Sequence, residues 1–295
     1  MEKKAIKGTL FLSAYNIDRT KFLKSGEKIE SYYQEGSSTC DEKGSPLDSC
    51  AVYVMGTRVT DKDGGIMRDT RLVRFIDNNG KCWWMADSQK GAIGSFDYLI
   101  KSGTENWKAL CGSFKEVEPI VERNDGSFIV TLEGEYYFNE AERDLAIYRN
   151  HAQNFKYHDK GYSFHGPHEA NDEGILKLKD GSYLEVGVQQ GVLISENPDS
   201  PRSFATVYDR GTTVRAADGT QLGDVMLLED VDVEGNMVWL YHEWWYDPEI
   251  ENGTYDILGG TGKWEGIKGQ GSAVGHLFHR NDDHWMTTWE LSWDI

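Results

Sequence analysis

Short segments in which apolar and polar residues alternate make up most of the chain. In its second half they include "DVMLLEDVDV", "MVWLYHEWWY", "GTYDILGG" and "HWMTTWELSW", each rich in Val, Trp, Tyr or Thr. Such alternation with β-branched and aromatic residues predicts β-strands. The segments are separated by "AADGT", "VEGN" and "RNDD", which are typical of turns. Six or more strands in about 140 residues, with no helical pattern between them, predict an antiparallel barrel or sandwich. Closure into a barrel leaves no exposed sheet edge.

The same pattern occurs twice along the chain. A segment that begins at Met55 and one that begins at Arg210 share identical residues at a spacing of 155, and the match continues at a spacing of 157. A tandem duplication explains a register that is kept over so long a stretch. The identities include Gly56/Gly211, Asp69/Asp224, Asp77/Asp232, Trp84/Trp239, Gly103/Gly260, Trp107/Trp264 and Glu133/Glu290.

The sequence therefore predicts an all-β chain of two tandem antiparallel β-barrels. The first barrel is expected over residues 1–140 and the second over residues 161–295, with a linker over residues 141–160. A short linking helix is predicted within Phe138–Tyr157, because Asn139 can cap a helix and two glutamates follow in its first turn.

Charge excludes some functions. The chain has 31 Lys and Arg residues against 49 Asp and Glu residues, a net charge of −18, which repels nucleic acid and anionic membrane surfaces. No apolar run reaches the roughly 18 residues that a membrane span requires, so membrane insertion is not expected. Neither nucleic acid nor a membrane is a predicted partner.

The compartment is left open by the sequence. The first residues, "MEKKAIKGTLFLSAYN", show no targeting segment, which slightly favours the cytoplasm. Cys40 and Cys50 bracket a polar loop that a disulfide could staple in a secreted or periplasmic setting. Two free thiols in the cytosol fit the same spacing.

The glycine-rich stretch Gly259–Gly271 is interpreted as structural. A phosphate-binding loop would need Ser or Thr after Gly262-Lys263 and a following helix, but Trp264 follows instead. Glycines between two strands allow positive φ and the close backbone approach of a bending barrel. The first half keeps a reduced form of the stretch around Trp107, which favours a structural role in both halves, with Trp264 closing one end of a barrel.

A resemblance to a known superfamily rests on this stretch. "YDILGGTGKWEGIKGQGSAVGHL" and the preceding "GTTVRAADGTQLGD" resemble the hairpins of the allene oxide cyclase and dirigent barrels, over about thirty-five residues. The resemblance implies an eight-stranded antiparallel barrel with an apolar lumen, similar to a lipocalin-like calyx, that holds a small hydrophobic molecule. Those proteins usually have one barrel per chain, so the duplication departs from the family. No catalytic carboxylate of the family matches a single position here.

The segment "MVWLYHEWWYDPE" holds the candidate catalytic residues. Glu243 among Trp and Tyr would have a raised pKa and suit a general acid or base, with Tyr241 or His242 as its partner. Glu243 and His242 align with Ser88 and Asp87 of the first half, so the two halves diverge here. The alternative is that Glu243 lies at a rim in water and His242 is a core or surface histidine. The predicted ligand-binding residues are Trp239, Trp245, Tyr246, Arg74 and Trp289.

Other polar residues are weaker candidates. Glu133 and Glu290 match between the halves and could act as acid–base groups or as hydrogen-bond anchors to the glycine hairpin. "RDTRLVRF" places Arg68, Leu72 and Arg74 on one face of a strand, as a carboxylate clamp or as solvated arginines. The histidines fit no zinc spacing, so no metal is expected; they are His165, His168, His276, His279 and His284.

Two functions are favoured by these patterns. The first is a cofactor-independent cyclase, isomerase or lyase that holds a small hydrophobic or aromatic molecule in the second barrel, since no cofactor motif occurs. The second is a dirigent-like or carrier protein with the same pocket and no catalysis. A third, weaker hypothesis is a carbohydrate-binding or glycan-active protein, suggested by the ten Trp residues. A further copy of the chain is a candidate partner, as a homo-oligomer.

Overall fold

The computed structural model describes residues 2–23, 26–90, 96–139, 155–167, 169–178, 180–245, 253–279 and 285–295. The chain divides into two compact units, Met1–Tyr148 and Arg149–Ile295. The division falls within the predicted linker, residues 141–160. The linking helix was predicted largely on residues 140–154, which lie outside the described residues.

The first unit is a closed antiparallel barrel. Eight of its strands follow one another around the wall in the order β1-β9-β8-β7-β6-β5-β4-β3, and β3 pairs with β1 to close it. Strand β2 pairs with β3 beside β1 and lies outside this ring. The strands are β1 (Lys4–Leu12), β2 (Asn16–Phe22), β3 (Lys28–Cys40), β4 (Ala51–Thr60), β5 (Ile66–Ile76), β6 (Cys82–Lys90), β7 (Asp97–Gly103), β8 (Leu110–Glu122) and β9 (Phe128–Phe138).

The second unit repeats this topology strand for strand. Its ring runs β10-β18-β17-β16-β15-β14-β13-β12 and closes through the pairing of β10 with β12, with β11 as the additional strand. The predicted fold class, all-β with two tandem antiparallel barrels, is therefore confirmed. The strands are β10 (Tyr157–His165), β11 (Glu169–Lys177), β12 (Tyr183–Ser195), β13 (Ala205–Arg215), β14 (Gln221–Val231), β15 (Met237–Trp245), β16 (Gly253–Gly260), β17 (Lys268–His279) and β18 (Trp285–Asp294).

Glycine permits the closure of each ring. A Cβ on Gly36 would lie 2.0 Å from the carbonyl oxygen of Phe11, and a Cβ on Gly191 would lie 2.4 Å from that of Phe164. Both glycines stand where the long third strand of a barrel passes from its additional strand to its first strand. Only a residue without a Cβ allows the two backbones to approach this closely.

The strand register defines which residues face each lumen. In the second barrel Val207 pairs with Asp230, and Asp209 pairs with Leu228. Leu228 pairs in turn with Leu240 of β15. Side chains alternate between the two faces of a strand, so every second residue on these strands points inward. The buried core of this barrel follows the alternation, with Leu193, Ala205, Val207, Met226, Leu228, Val238, Leu240, Tyr255, Trp289, Leu291 and Trp293 on the inner face.

The glycine-rich stretch forms a closing corner. It contains a single 3₁₀ turn, Gly262–Trp264, whose buried indole donates from Nε1 to Asp232 Oδ2 at 2.9 Å. Trp264 also packs edge-on against Trp293 of the lumen, with ring centroids 5.6 Å apart. The structural interpretation of this stretch agrees with these contacts.

The first barrel has the same corner. Its 3₁₀ turn, Glu105–Trp107, places the Trp107 indole 3.0 Å from Asp77 Oδ2, to which it donates. Because Asp77 and Asp232 occupy equivalent positions, one indole–carboxylate hydrogen bond holds the corner in each copy.

Within the described residues no helix is long and apolar enough to cross a membrane.

Replacing Trp264 by Phe keeps the ring in the core and removes the hydrogen bond to Asp232. We expect the free energy of unfolding of the second barrel to fall by about 1.5–3 kcal/mol, the usual contribution of a hydrogen bond to a charged group. Urea unfolding combined with hydrogen exchange resolved to each barrel measures this. Trp107→Phe is the matched change and should act on the first barrel alone; a loss confined to the wrong barrel would contradict the assignment.

Acid should weaken the same corner. Burial by itself would raise the pKa of Asp232, but hydrogen bonds from Asn236, Lys263 and Trp264 outweigh it and lower that pKa below 3.8. A carboxylate with a depressed folded-state pKa stabilises the fold above its unfolded pKa and ceases to do so as the pH falls through the folded value. Stability measured between pH 5 and pH 2 should fall less steeply in Asp232→Asn than in the parent protein.

Candidate functional site

The predicted catalytic residues lie on opposite sides of the barrel wall. His242 is on the inner face of β15, two residues from Leu240. Glu243 and Tyr241 are on the outer face, where the Tyr241 hydroxyl donates to Glu243 Oε2 at 2.8 Å. Both outer residues are buried, at 8% and 3% exposure. Glu243 therefore does not face the lumen in which its acid–base chemistry was predicted.

The predicted ligand-binding residues are likewise divided. Trp289 is fully buried in the lumen of the second barrel, whereas Trp239 is on the outer face of β15. Arg74 belongs to the first barrel, on the outer face of β5, with its guanidinium over the Tyr53 ring at 4.4 Å. Burial lowers the pKa of Arg74. The side chain of Trp245 and all of Tyr246 lie outside the described residues.

The other candidates do not assemble into a site. Glu133 accepts a hydrogen bond from Lys7 at 2.7 Å on the outside of the first barrel, and Glu290 is exposed on β18. Among the described residues no group of three or more His, Cys, Asp or Glu side chains could hold a metal ion. His168 and His284, and the side chains of His276 and His279, lie outside the description. Cys40, Cys50, Cys82 and Cys111 are free thiols.

The lumen of the first barrel contains a hydrogen-bonded ionic network. Arg71 donates from Nε to the Tyr32 hydroxyl at 2.9 Å, from Nη1 to Glu116 at 3.2 Å, and from Nη2 to Asp69 at 3.1 Å. Nη2 also donates to the Tyr15 hydroxyl at 3.0 Å. Every nitrogen of the guanidinium thus has a partner within the same barrel. This network and the surrounding aromatic rings fill the interior.

Several large side chains of the first interior are replaced by smaller ones in the second barrel. The strand pairings assign to each inner residue of the first barrel an equivalent residue in the second. Five bulky residues of the first interior are replaced by smaller ones, four of them glycine or alanine. The replacements are Tyr32 by Gly187, Arg71 by Met226, Phe96 by Gly253, Phe114 by Gly271 and Glu116 by Ala273.

The second lumen instead carries polar groups where the first carries apolar ones. Each of these groups is at least 90% buried. Because apolar side chains at the same positions sufficed in the first barrel, folding alone does not require them. The pairs are Leu47 and Arg202, Phe75 and Asp230, Val54 and Asp209, Leu12 and His165, and Leu10 and Ser163.

Arg202 is the central cation of this lumen. It comes from the loop before β13 and is 1% exposed, with Nε donating to Asp230 Oδ2 at 2.7 Å. Its guanidinium carbon lies 4.6 Å from the ring centre of Tyr255 and 5.0 Å from that of Trp289. Burial raises the pKa of Asp230 despite the nearby Arg202 charge, and burial raises the pKa of Tyr255 to about 12.

A histidine and a carboxylate lie beside this pair. His165 Nδ1 is 2.8 Å from Asp209 Oδ2, and both residues are about 95% buried. The charges of His165 and Asp209 act on the pKa of Asp230, so the four groups form one electrostatic cluster. We call Arg202, Asp230, His165 and Asp209 the lumen cluster.

His242 enters the same lumen from β15. Its Nδ1 donates to the backbone carbonyl of Thr254 at 3.0 Å, and its Nε2 is 3.4 Å from Asp224 Oδ1. A Cβ on Gly253 would lie 2.4 Å from the His242 ring. The imidazole thus occupies space that Phe96 fills in the first barrel, which explains why this position is glycine in the second.

Several polar atoms on the inner face of the second barrel make no hydrogen bond of ordinary geometry within the described part of the chain. A buried polar atom costs about 1–3 kcal/mol when it is left unpaired. These atoms include Arg202 Nη1, Arg202 Nη2, Asp230 Oδ1, Asp209 Oδ1, Ser163 Oγ and Trp289 Nε1.

Comparison with known proteins gives no family for this chain. No protein-family model matches the sequence, and no curated protein matches it. Among solved structures, a Nitrosomonas europaea protein provisionally described as an AttH aligns over 97% of this chain and 92% of its own, with 9% identity and a TM-score of 0.12. A score this low carries no argument about fold or function.

The buried ion pair gives a stability prediction. Arg202→Leu alone leaves the Asp230 carboxylate buried without its cation, and we expect a loss of about 3–5 kcal/mol in the free energy of unfolding. Arg202→Leu with Asp230→Phe installs the two residues that the first barrel uses, and should recover most of that loss, because replacing both members of a buried pair is often neutral. Urea unfolding of the parent and both variants measures this. A double variant as unstable as the single one would contradict the pairing.

Proposed function

We propose that the second barrel is a cofactor-independent cyclase, isomerase or lyase that holds a small hydrophobic or aromatic molecule in its lumen. The observation that carries this proposal is the buried contact of His165 with Asp209, inside the barrel in which five bulky interior residues of the first are replaced by smaller ones. A histidine held by a carboxylate is a common general base or acid. It replaces Glu243 as the acid–base group that we propose.

The geometry supports proton transfer by His165. His165 Nδ1 lies 2.8 Å from Asp209 Oδ2. When the proton of a neutral imidazole is on Nδ1, the lone pair is on Nε2. Nε2 can then accept a proton from the bound molecule, and Asp209 stabilises the imidazolium that forms. Returning that proton to another atom of the same molecule completes an isomerisation or cyclisation without net gain or loss of protons or electrons. Returning it to a departing group completes a lyase reaction.

The apolar part of the lumen supports binding of a hydrophobic body. Leu193, Val207, Met226, Leu228 and Leu240 line the inner face next to the lumen cluster, all at most 9% exposed. Such a wall excludes water, which strengthens the electrostatic interactions inside it and fixes the conformation in which the molecule reacts. Trp289 of β18 adds an aromatic surface to the same inner face.

A carrier without catalysis uses the same pocket. The unpaired polar atoms of the lumen favour this second candidate, since they could bind a ligand and do nothing more. In that case His165 and Asp209 contribute affinity alone. The two functions differ in what happens to a bound molecule, so one experiment separates them.

Native mass spectrometry of the freshly purified chain should reveal a small molecule bound in a one-to-one complex. Incubated with the parent protein, the recovered compound should give a product of equal mass, or two fragments in the case of a lyase. His165→Asn should slow this conversion by about 10²- to 10⁴-fold, the usual contribution of a general acid–base group. Phe164→Asn is the matched control, because Phe164 is the preceding residue on β10 and is exposed on the outer face.

The alternatives give different results. A compound that binds and leaves unchanged would favour the carrier. A loss of turnover in Glu243→Gln with full activity in His165→Asn would contradict the lumen assignment and return the acid–base role to the outer face of β15.

A further inference from the structure

Two arginines inside the same molecule differ in how their guanidinium groups are used. Arg71, in the first lumen, directs all three nitrogens at partners of its own barrel. Arg202, in the second lumen, donates a hydrogen bond from Nε to Asp230. Its Nη1 and Nη2 have no acceptor of ordinary geometry among the described residues. Both side chains are at most 2% exposed.

The aromatic neighbours of Arg202 do not remove this difference. The guanidinium carbon lies near the ring centres of Tyr255 and Trp289, at 4.6 and 5.0 Å. The Tyr255 hydroxyl lies close enough to the guanidinium to interact with it both as a charge and as a hydrogen-bond partner, but neither Nη group donates to it with ordinary geometry. The two rings and Asp230 hold the guanidinium in a fixed position, which keeps the NH₂ groups of Nη1 and Nη2 oriented in advance of binding.

We propose that Nη1 and Nη2 of Arg202 form the subsite for a carbonyl oxygen, and that the substrates are carbonyl compounds with a removable hydrogen on the adjacent carbon. This rests on the proposed function, whose substrate class it names. Arginine is suited to this role, because its planar donors match an oxygen acceptor and the guanidinium stays charged while negative charge develops on that oxygen.

The chemical step balances within the lumen cluster. The bond between the adjacent carbon and its hydrogen breaks, and His165 accepts the proton. The electron pair of that bond forms a carbon–carbon double bond, and the π pair of the carbonyl moves onto the oxygen, which faces Arg202. No oxidant or reductant is required. In a substrate with a carbon–carbon double bond between its β and γ carbons, return of the proton to the γ carbon moves that double bond into conjugation with the carbonyl and gives the isomer.

The net charge of the site remains constant during this transfer. The charged or titratable groups identified around Arg202 are Asp230, Asp209, His165 and Tyr255. The proton that leaves the substrate stays on His165 beside Asp209, so a negative oxygen appears together with a positive imidazolium. The transfer thus creates a buried pair of opposite charges and no uncompensated buried charge.

Binding of 4-nitrophenol tests the subsite without any turnover. Its phenolate resembles the enolate oxygen, and the ionised and neutral forms are distinguished by their visible absorption. Titrated in complex with the full chain, the phenol should ionise at a pH at least one unit below that of the free compound, a tenfold shift in its ionisation constant. The double variant, which combines Arg202→Leu with Asp230→Phe, has an apolar lumen that favours the neutral form of the phenol. In this variant the bound phenol should therefore ionise at a higher pH than the free compound.

Two controls make the experiment decisive. Arg123→Leu removes an exposed arginine of the first barrel and should leave the shift intact, which excludes an effect of overall charge. Hydrogen exchange of the double variant should show that the second barrel is folded.

Each result has a single meaning. A lowered ionisation pH that disappears in the double variant supports the subsite. Binding of 4-nitrophenol with the same ionisation pH in both proteins overturns the subsite but leaves the lumen pocket of the proposed function standing. Failure of 4-nitrophenol to bind the parent protein overturns both.

Discussion

The interior of a closed β-barrel must be filled, and this constraint governs both halves of the chain. Eight strands enclose a lumen just wide enough for side chains to occupy, or to hold one small ligand. The first barrel fills its lumen with aromatic rings and with the Arg71 network, whose guanidinium nitrogens are all hydrogen-bonded. The second barrel has the same strand order, but its interior combines small residues with polar atoms that make no hydrogen bond of ordinary geometry among the described residues.

Duplication explains how this difference is compatible with stability. The parts that hold each barrel closed are present in both copies, including the glycine at the ring closure and the indole–carboxylate bond of the corner. The parts that differ lie on the inner faces. Because the two copies keep the same frame, the apolar residues of the first show what folding needs at each lumen position, and Arg202, Asp230, Asp209 and His165 depart from it.

The sequence predicted the fold because its signals were local and repeated. Alternation identified the strands, and the fixed spacing of identical residues identified the duplication. The sequence could not show which face of β15 points into the barrel. Apolar and aromatic residues occupy both of its faces, so alternation does not distinguish a buried face from a solvent-facing one. Period two places Glu243 and His242 on opposite faces of β15, and the register shows that His242 is the one that faces the lumen.

The lumen cluster has a signal in the alignment of the two halves. Asp209 and Asp230 resemble the solvent-facing residues of a strand, and Arg202 resembles a loop residue, so each is unremarkable alone. Aligned with the first half, they replace Val54, Phe75 and Leu47, which are buried apolar residues. A polar residue aligned with a buried apolar residue of the other copy indicates a position such as those of Asp209, Asp230 and Arg202. His165 was noted only as a possible metal ligand, since its contact with Asp209 depends on the tertiary fold.

The central claim is that the second lumen, and not the first, is a binding site. A crystal structure of freshly purified protein tests it most directly. The account predicts a bound small molecule or ordered solvent within hydrogen-bonding distance of Nη1 and Nη2 of Arg202, and only side chains around Arg71. Side chains that fill both lumens completely, with Nη1 and Nη2 of Arg202 hydrogen-bonded to protein groups, would contradict it.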